Sequence, residues 1–318
     1  MNRHMPLLQR LNNVEKFFRV ILGFGITISL SSVTFAEEIA ILKSADISAY
    51  SETITAFTSA LPSSFRVTQE YDLGGDMIKG RKFARRIQTS NVTAVLAVGL
   101  KAALSAKAEI HDIPVVFCLV VDPEKYGLPA ENMVGLSLYI PFRQRLKPLQ
   151  ALVSNVSRIG VLFDPQKTKR MHNQLLQEAK AMGIQIVSEP VYSEQVVPKA
   201  FNAIKDQIDA LWVLPDSTVL TENTLDFLIS ATLESGIPVV GFSEALVRSG
   251  MVVGAYIRYT DMGIEAAQLS QQLVNQSSSL WKKIIAPANV YQSINKKSAR
   301  YLNFPLPPDV LRQFDEQF

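Results

Sequence analysis

The sequence predicts an α/β protein of two lobes, each a doubly wound parallel sheet, joined by a hinge. After residue 37, short apolar runs alternate with amphipathic stretches, which is the pattern of strand–helix–strand units in parallel sheets. The apolar runs are continuous, as is typical of strands covered by helices on both faces. The alternation forms two series of similar length, and 318 residues suit two domains of roughly 100–150 residues each.

The first series predicts the first lobe. Asp76 follows two glycines and is the expected N-cap of a helix that ends at Ile87. Gly99 closes a buried strand. In chain order, we predict strands at 39–42, 65–71, 94–98, 114–121 and 133–138, and helices at 50–61, 76–87 and 101–109.

The second series repeats the pattern, and Gly183 and Gly236 mark the ends of two of its helices. We predict strands at 158–163, 184–188, 210–214, 238–242 and 251–256, and helices at 141–153, 167–182, 195–206, 221–235 and 261–276.

Residues 1–36 have the pattern of a cleavable secretory signal. A basic start precedes an apolar run at 20–30, and Thr34 and Ala36 fit the small-residue cleavage site. The apolar run is shorter than the roughly 20 residues that a spanning helix needs, although an uncleaved membrane anchor is the alternative. No cysteine stands at the cleavage site for lipid attachment. The sequence therefore predicts a periplasmic protein that is not a lipoprotein.

The charge of the exported part is balanced. Of 32 basic and 29 acidic residues, the first 36 residues hold four basic and one acidic, which leaves 28 of each. A chain near neutrality has no electrostatic reason to bind nucleic acid or anionic lipid. Cys118, the only cysteine, lies in an apolar run and is expected to be a buried thiol without an intrachain disulfide.

The topology also predicts where a ligand binds. Small molecules bind outside the carboxyl ends of parallel strands, so two facing lobes place these ends on either side of one cleft. The residues just after the predicted strands are the candidates. We expect ligand contacts from Ser44, Gly99, Lys101, Asp122, Ser137, Tyr139, Asp164, Asp216, Ser217, Thr218, Phe242 and Tyr256.

An amino acid ligand needs an anion site and a cation site. Gly99, Lys101 and Ser137 are placed to serve a carboxylate through N–H, ammonium and hydroxyl groups. Asp216 or Asp122 is placed to serve an ammonium group. For either aspartate the alternative is a turn or N-cap role, and for Lys101 it is a solvated helix surface.

Three aromatic residues follow predicted strands. Tyr139, Phe242 and Tyr256 are placed to stack on an aromatic or apolar ligand. The alternative for each of them is packing in the core.

Several segments together resemble the periplasmic component of ABC transport systems often labelled uncharacterised, whose best understood members bind aromatic amino acids. The resemblance covers nearly all of 37–318 and is carried by the order and spacing of 113–117 with 121–123, 132–137, 158–163, 209–212 with 216–219, 236–239 and 261–267. The sequence departs from the family pattern at three places, which are 164–168, Ser217 and Lys101.

The resemblance implies a type I periplasmic binding protein fold whose chain crosses three times between lobes. It places 37–139 with 256–285 in the first lobe and 140–255 with 286–318 in the second. It also implies a monomer that closes on a small molecule without a cofactor and is then recognised by an ABC permease in the inner membrane. A sensor protein in place of the permease is the alternative partner.

Enzymatic function is not expected. His4, His111 and His172 lack partners at metal-ligand spacing, and no Gly-x-Ser-x-Gly nucleophile turn is present in the sequence. We therefore expect neither a catalytic residue nor a metal. An exported enzyme remains a rival, and it would require two facing carboxyl groups with perturbed pKa values in one pocket.

Overall fold

The computed structural model describes residues 36–275 and 280–318. The predicted signal, apart from Ala36, lies outside these residues. Within them, no helix is long and apolar enough to cross a bilayer.

The first sheet contains six strands in the order β11-β5-β4-β3-β1-β2, all of them parallel to their neighbours. Its strands are β1 (Glu37–Lys43), β2 (Phe65–Asp72), β3 (Ala94–Val98), β4 (Val115–Cys118), β5 (Met133–Leu136) and β11 (Ile284–Ile285). The helices of this lobe are α1 (Ser48–Ala60), α2 (Met77–Gln88), α3 (Leu100–Glu109) and α9 (Tyr259–Val274).

The second sheet contains seven strands in the order β13-β12-β10-β9-β8-β6-β7, and only the pair β10–β12 is antiparallel. Its strands are β6 (Arg158–Phe163), β7 (Gln185–Pro190), β8 (Ala210–Trp212), β9 (Val239–Gly241), β10 (Val253–Tyr256), β12 (Tyr291–Ile294) and β13 (Glu316–Gln317). The helices of this lobe are α4 (Phe142–Gln150), α5 (Lys169–Ala181), α6 (Val197–Ile204), α7 (Glu222–Glu234), α8 (Glu244–Arg248), α10 (Lys296–Tyr301) and α11 (Pro308–Leu311).

The two sheets confirm the predicted fold class. In β1, Ile39 and Ile41 belong to one core while Ala40 and Leu42 belong to the core on the opposite face, and all four are fully buried. A strand buried on both faces has no polar side, which explains the continuous apolar runs in the sequence. Asp76 is confirmed as a helix N-cap, because its carboxylate accepts hydrogen bonds from two backbone N–H groups of α2.

The chain crosses three times between the sheets, after β5, after β10 and after β11. Tyr256 is the last residue of β10 and pairs within the second sheet, so the second connection begins one residue later than we placed it. After this connection, α9 returns to the first lobe and packs along α1. The Thr53 hydroxyl of α1 donates to the Tyr259 carbonyl at the start of α9, at 3.0 Å.

Some predicted strands are longer than the observed ones. The strand predicted at 114–121 ends at Cys118, because Leu119 and Asp122 adopt positive φ angles of 55° and 50°. Such left-handed backbone ends a strand, and the Asp-Pro sequence there continues into a 3₁₀ turn at Pro123–Tyr126.

Candidate ligand-binding site

The loops at the carboxyl ends of the two sheets meet. Arg170, at the start of α5, lies 3.1 Å from a carboxylate oxygen of Asp122 and also pairs with Glu124, both of which follow β4. The Lys125 ammonium group donates to the Lys167 carbonyl at 3.3 Å. Strand ends of both lobes therefore face one another. Beside these contacts lies a cavity of about 350 Å³ lined by Lys125, Pro165, Gln166, Lys167, Lys169, Arg170 and Asn173.

On the first lobe, Ser44 and Gly99 lie together at the ends of β1 and β3. The Ser44 hydroxyl is buried and accepts a hydrogen bond from the Ala102 N–H at 2.9 Å. A side chain just after β1 thus satisfies an N–H group in the first turn of α3. Gly99 has a φ of 85°, and a Cβ there would lie 2.4 Å from the Tyr50 hydroxyl oxygen and 2.7 Å from the Ser44 Oγ. Only glycine fits between these groups.

Lys101 and Ser137 are the other residues that we expected to bind the carboxylate of a ligand, and both have local partners. The Lys101 ammonium group donates to the Gly75 carbonyl at 2.5 Å and so ties α3 to the turn before α2. The Ser137 hydroxyl accepts from the Tyr139 N–H at 2.9 Å. Tyr139 in turn donates its hydroxyl to Glu178 of α5, so the connection after β5 is tied to a helix of the second lobe.

On the second lobe, four polar side chains form a buried cluster at the ends of β6 and β8. Asp216 accepts hydrogen bonds from the Asp164 N–H at 2.7 Å and the Thr168 hydroxyl at 2.5 Å through one oxygen. Its other oxygen accepts from the Thr218 N–H at 2.9 Å. The Thr218 hydroxyl donates to Asp164 at 2.7 Å. Asp164, Asp216 and Thr218, three of the predicted ligand contacts, thereby lie together.

In this cluster the carboxylates of Asp164 and Asp216 accept hydrogen bonds from nearby backbone and hydroxyl groups. The Thr218 hydroxyl, the Gln166 N–H and the charge of Lys167 hold the pKa of Asp164 below its usual value. Asp216 is only 2% exposed and both of its oxygens are engaged. These contacts favour the turn role that was the alternative for Asp216. Ser217 is exposed next to the cluster and accepts from the Lys167 ammonium group at 2.8 Å.

The three aromatic candidates differ in their exposure to solvent and in their contacts. Tyr256 is 3% exposed, and its hydroxyl donates to Glu316 in the tail strand β13. Burial, together with this hydrogen bond to a carboxylate, raises the pKa of the Tyr256 hydroxyl. Phe242 is half-buried and packs against the core of the second sheet, which favours the packing alternative. Tyr139 is 39% exposed and is the aromatic candidate most available to solvent.

Two side chains that make these contacts, Glu316 and Arg170, were missed by the sequence analysis. Glu316 is 60 residues from Tyr256 and also pairs with Arg258, whose guanidinium lies 3.9 Å from the centre of the Tyr291 ring. Arg170 comes from the first turn of α5, where charged residues normally face solvent. Arg258 stands just after a predicted strand, and that position was the one signal available in the sequence.

The carboxylates of the described residues do not assemble a metal site. Within 36–275 and 280–318, no group of three or more His, Cys, Asp or Glu side chains is placed to hold a metal ion.

Two α/β lobes with strand ends facing one another define a class, the type I periplasmic binding protein fold. The chain belongs to the family described as ABC transporter substrate binding protein, which matches residues 74–317.

Known proteins are similar to this chain in sequence or in fold. The chain is 23% identical over 211 residues to a tyrosine-binding protein of Clostridioides difficile strain R20291, across 64% of this chain and 61% of that protein. It is similar in fold to a ligand-free, open substrate binding protein with adhesive properties from Clostridium difficile, with a TM-score of 0.77, 19% identity and coverage of 89% and 99%. A Streptococcus pneumonia domain in complex with L-Trp gives a TM-score of 0.67 at 20% identity, with coverage of 89% and 100%.

Proposed function

We propose that the protein is an exported solute-binding protein of an ABC transporter, which binds an amino acid in the cleft between its lobes. The observation that carries the proposal is the meeting of polar strand ends from both lobes, through Arg170 with Asp122 and Glu124. The family assignment supports a solute-binding role. The names of the relatives, one a tyrosine-binding protein and one a complex with L-Trp, support an aromatic amino acid.

Binding works by hinge closure. Three connections join the lobes, and no strand is shared between the two sheets of the described residues. A ligand that contacts both lobes stabilises the closed state by the contacts that it makes only there. The ion pairs of Arg170 at the cleft rim contribute to the same closed arrangement, and a permease in the inner membrane reads it. The protein acts as a monomer without a cofactor.

The buried carboxylates at the strand ends of the second lobe do not favour catalysis. A general acid at neutral pH requires a carboxyl group with a raised pKa. Asp164 has the opposite shift, since the Thr218 hydroxyl and its other donors stabilise the ionised form. Asp216 spends both oxygens on backbone and hydroxyl donors, which leaves no free pair for acid–base chemistry.

A thermal-shift panel tests the function. The protein is expressed with its own N-terminal segment and purified from the periplasm. Mass spectrometry of the purified protein identifies its first residue, which we expect to be Glu37. Aromatic amino acids are expected to raise the Tm by several degrees, because a ligand at 100 times its Kd stabilises a protein by about 2.7 kcal/mol. A shift by sugars or nucleosides alone would overturn the ligand class. Retention of residues 1–36 in the purified protein would overturn the cleavable signal.

A further inference from the structure

Arg145 is a buried cation without a carboxylate partner. It lies in the first turn of α4 and is 9% exposed. Its guanidinium packs 4.3 Å from the centre of the Trp212 ring, and its Nη2 donates to the Val213 carbonyl at 3.3 Å. Its Nε is buried with no hydrogen-bond partner. Among the described residues, no acidic side chain lies within 4.0 Å of the guanidinium.

An unpaired buried charge is unfavourable. Taking an ion out of water is unfavourable unless a counter-charge or a full set of hydrogen bonds replaces the water. Burial lowers the pKa of Arg145 to about 9, which leaves the side chain charged at neutral pH. The indole N–H of Trp212, on the residue that Arg145 packs against, is also buried without an acceptor. Two neighbouring donors therefore lack an acceptor.

The position of Arg145 relates these donors to the cleft. Val213, which accepts its hydrogen bond, is the first residue after β8, and Asp216 of the buried polar cluster follows three residues later. The guanidinium therefore lies beside the carboxyl end of β8, one of the strand ends that carry the buried polar cluster. The side chains that we expected to bind a carboxylate, Lys101 and Ser137, already have local partners.

We propose that Arg145 is the residue that binds the carboxylate of the ligand, so that the protein selects amino acids over the corresponding amines. This inference rests on the proposed function. A carboxylate would supply both the counter-charge and the missing acceptor, and arginine–carboxylate hydrogen bonds are among the strongest in proteins. The ligand class is then a molecule with a free carboxylate and an aromatic or apolar body.

Paired ligands test the proposal. Calorimetric titration compares L-tyrosine with tyramine and L-tryptophan with tryptamine, which differ only by the carboxylate. The wild type is expected to prefer each amino acid by about 100-fold or more. Arg145→Met is expected to lose that preference while its Tm without ligand stays equal or rises, because an apolar side chain of similar volume replaces an unpaired charge. Arg143→Met, on the exposed face of the same helix, is the matched control and is expected to bind as the wild type does.

The outcomes separate the inference from the function. If Arg145→Met keeps the preference for the amino acid, the inference is wrong and the proposed function stands. If the wild type binds neither amino acid nor amine, the function fails and the inference fails with it. Should Arg145→Met not fold, Arg145→Gln keeps a donor for the Val213 carbonyl but removes the charge. The same loss of preference is then expected of Arg145→Gln, and a retained preference contradicts the proposal.

Discussion

Asp216→Ala is expected to destabilise the second lobe by about 3–5 kcal/mol, which corresponds to a fall in Tm of about 10 °C. The substitution removes the carboxylate that accepts from four donors, namely the N–H groups of Asp164, Thr218 and Val219 and the hydroxyl of Thr168. A buried donor left unsatisfied costs about 1–3 kcal/mol. The sequence alone left ligand binding and a turn role open for Asp216, and these contacts make stability the larger effect.

Urea unfolding followed by tryptophan fluorescence measures the destabilisation of the second lobe. The chain has two tryptophans, of which Trp212 is buried in the second lobe and Trp281 packs against the core of the first. In a Trp281→Phe background the fluorescence therefore reports the second lobe. Ser217→Ala removes only one exposed hydrogen bond and is expected to change the free energy of unfolding by less than about 0.5 kcal/mol. An Asp216→Ala variant that unfolds at the same urea concentration as this control would refute the structural role.

Gly263→Ala is expected to destabilise the first lobe by about 3 kcal/mol or more. Gly263 lies where α9 crosses α1, and a Cβ there would be 2.2 Å from the Thr53 carbonyl oxygen and 2.8 Å from the Phe57 nitrogen. Both atoms belong to backbone, so no side chain rotation relieves the clash and the helices must separate. Hydrogen exchange of α1 amides, followed by mass spectrometry, is expected to accelerate.

The control for Gly263 is its neighbour Ile264, which is 41% exposed on the same helix. Ile264→Ala is expected to leave exchange in α1 unchanged, because it removes apolar surface that already contacts water. Protection in Gly263→Ala equal to that in Ile264→Ala would mean that the two helices do not pack as closely as described.

The sequence predicts the fold well because the relevant signals are local. A strand buried on both faces is a continuous apolar run, and Asp76 after two glycines marks a helix start. Strands β11 and β13 have two residues each, too few for any hydrophobic period to show. They form because earlier strands offer an open edge, and that information is not local.

The site is less predictable, because the role of a polar side chain depends on its partners. Tyr256 and Glu316 are 60 residues apart, and no local pattern links them. Asp122 meets Arg170 only because the two lobes face one another. Arg145 on an amphipathic helix has the appearance of a solvated residue, and only packing against Trp212 reveals a buried charge. The sequence is enough to locate the strand ends, but it does not show which side chains contact one another there.

An interlobe distance tests the central claim, which is that the lobes close on an amino acid. Ile78 and Tyr192 are 83% and 66% exposed, and they follow the outer strands β2 and β7 of the two sheets. Cysteines introduced by Ile78→Cys and Tyr192→Cys accept spin labels. The native Cys118 does not compete, because it is fully buried and burial raises its pKa to about 12.

Saturating L-tyrosine or L-tryptophan is expected to shorten the distance between the two labels by more than about 2 Å. A control pair within the first lobe, Ile47→Cys with Ile78→Cys, is expected to keep its distance. Binding that saturates in calorimetry while the interlobe distance stays constant would contradict closure of the cleft on its ligand.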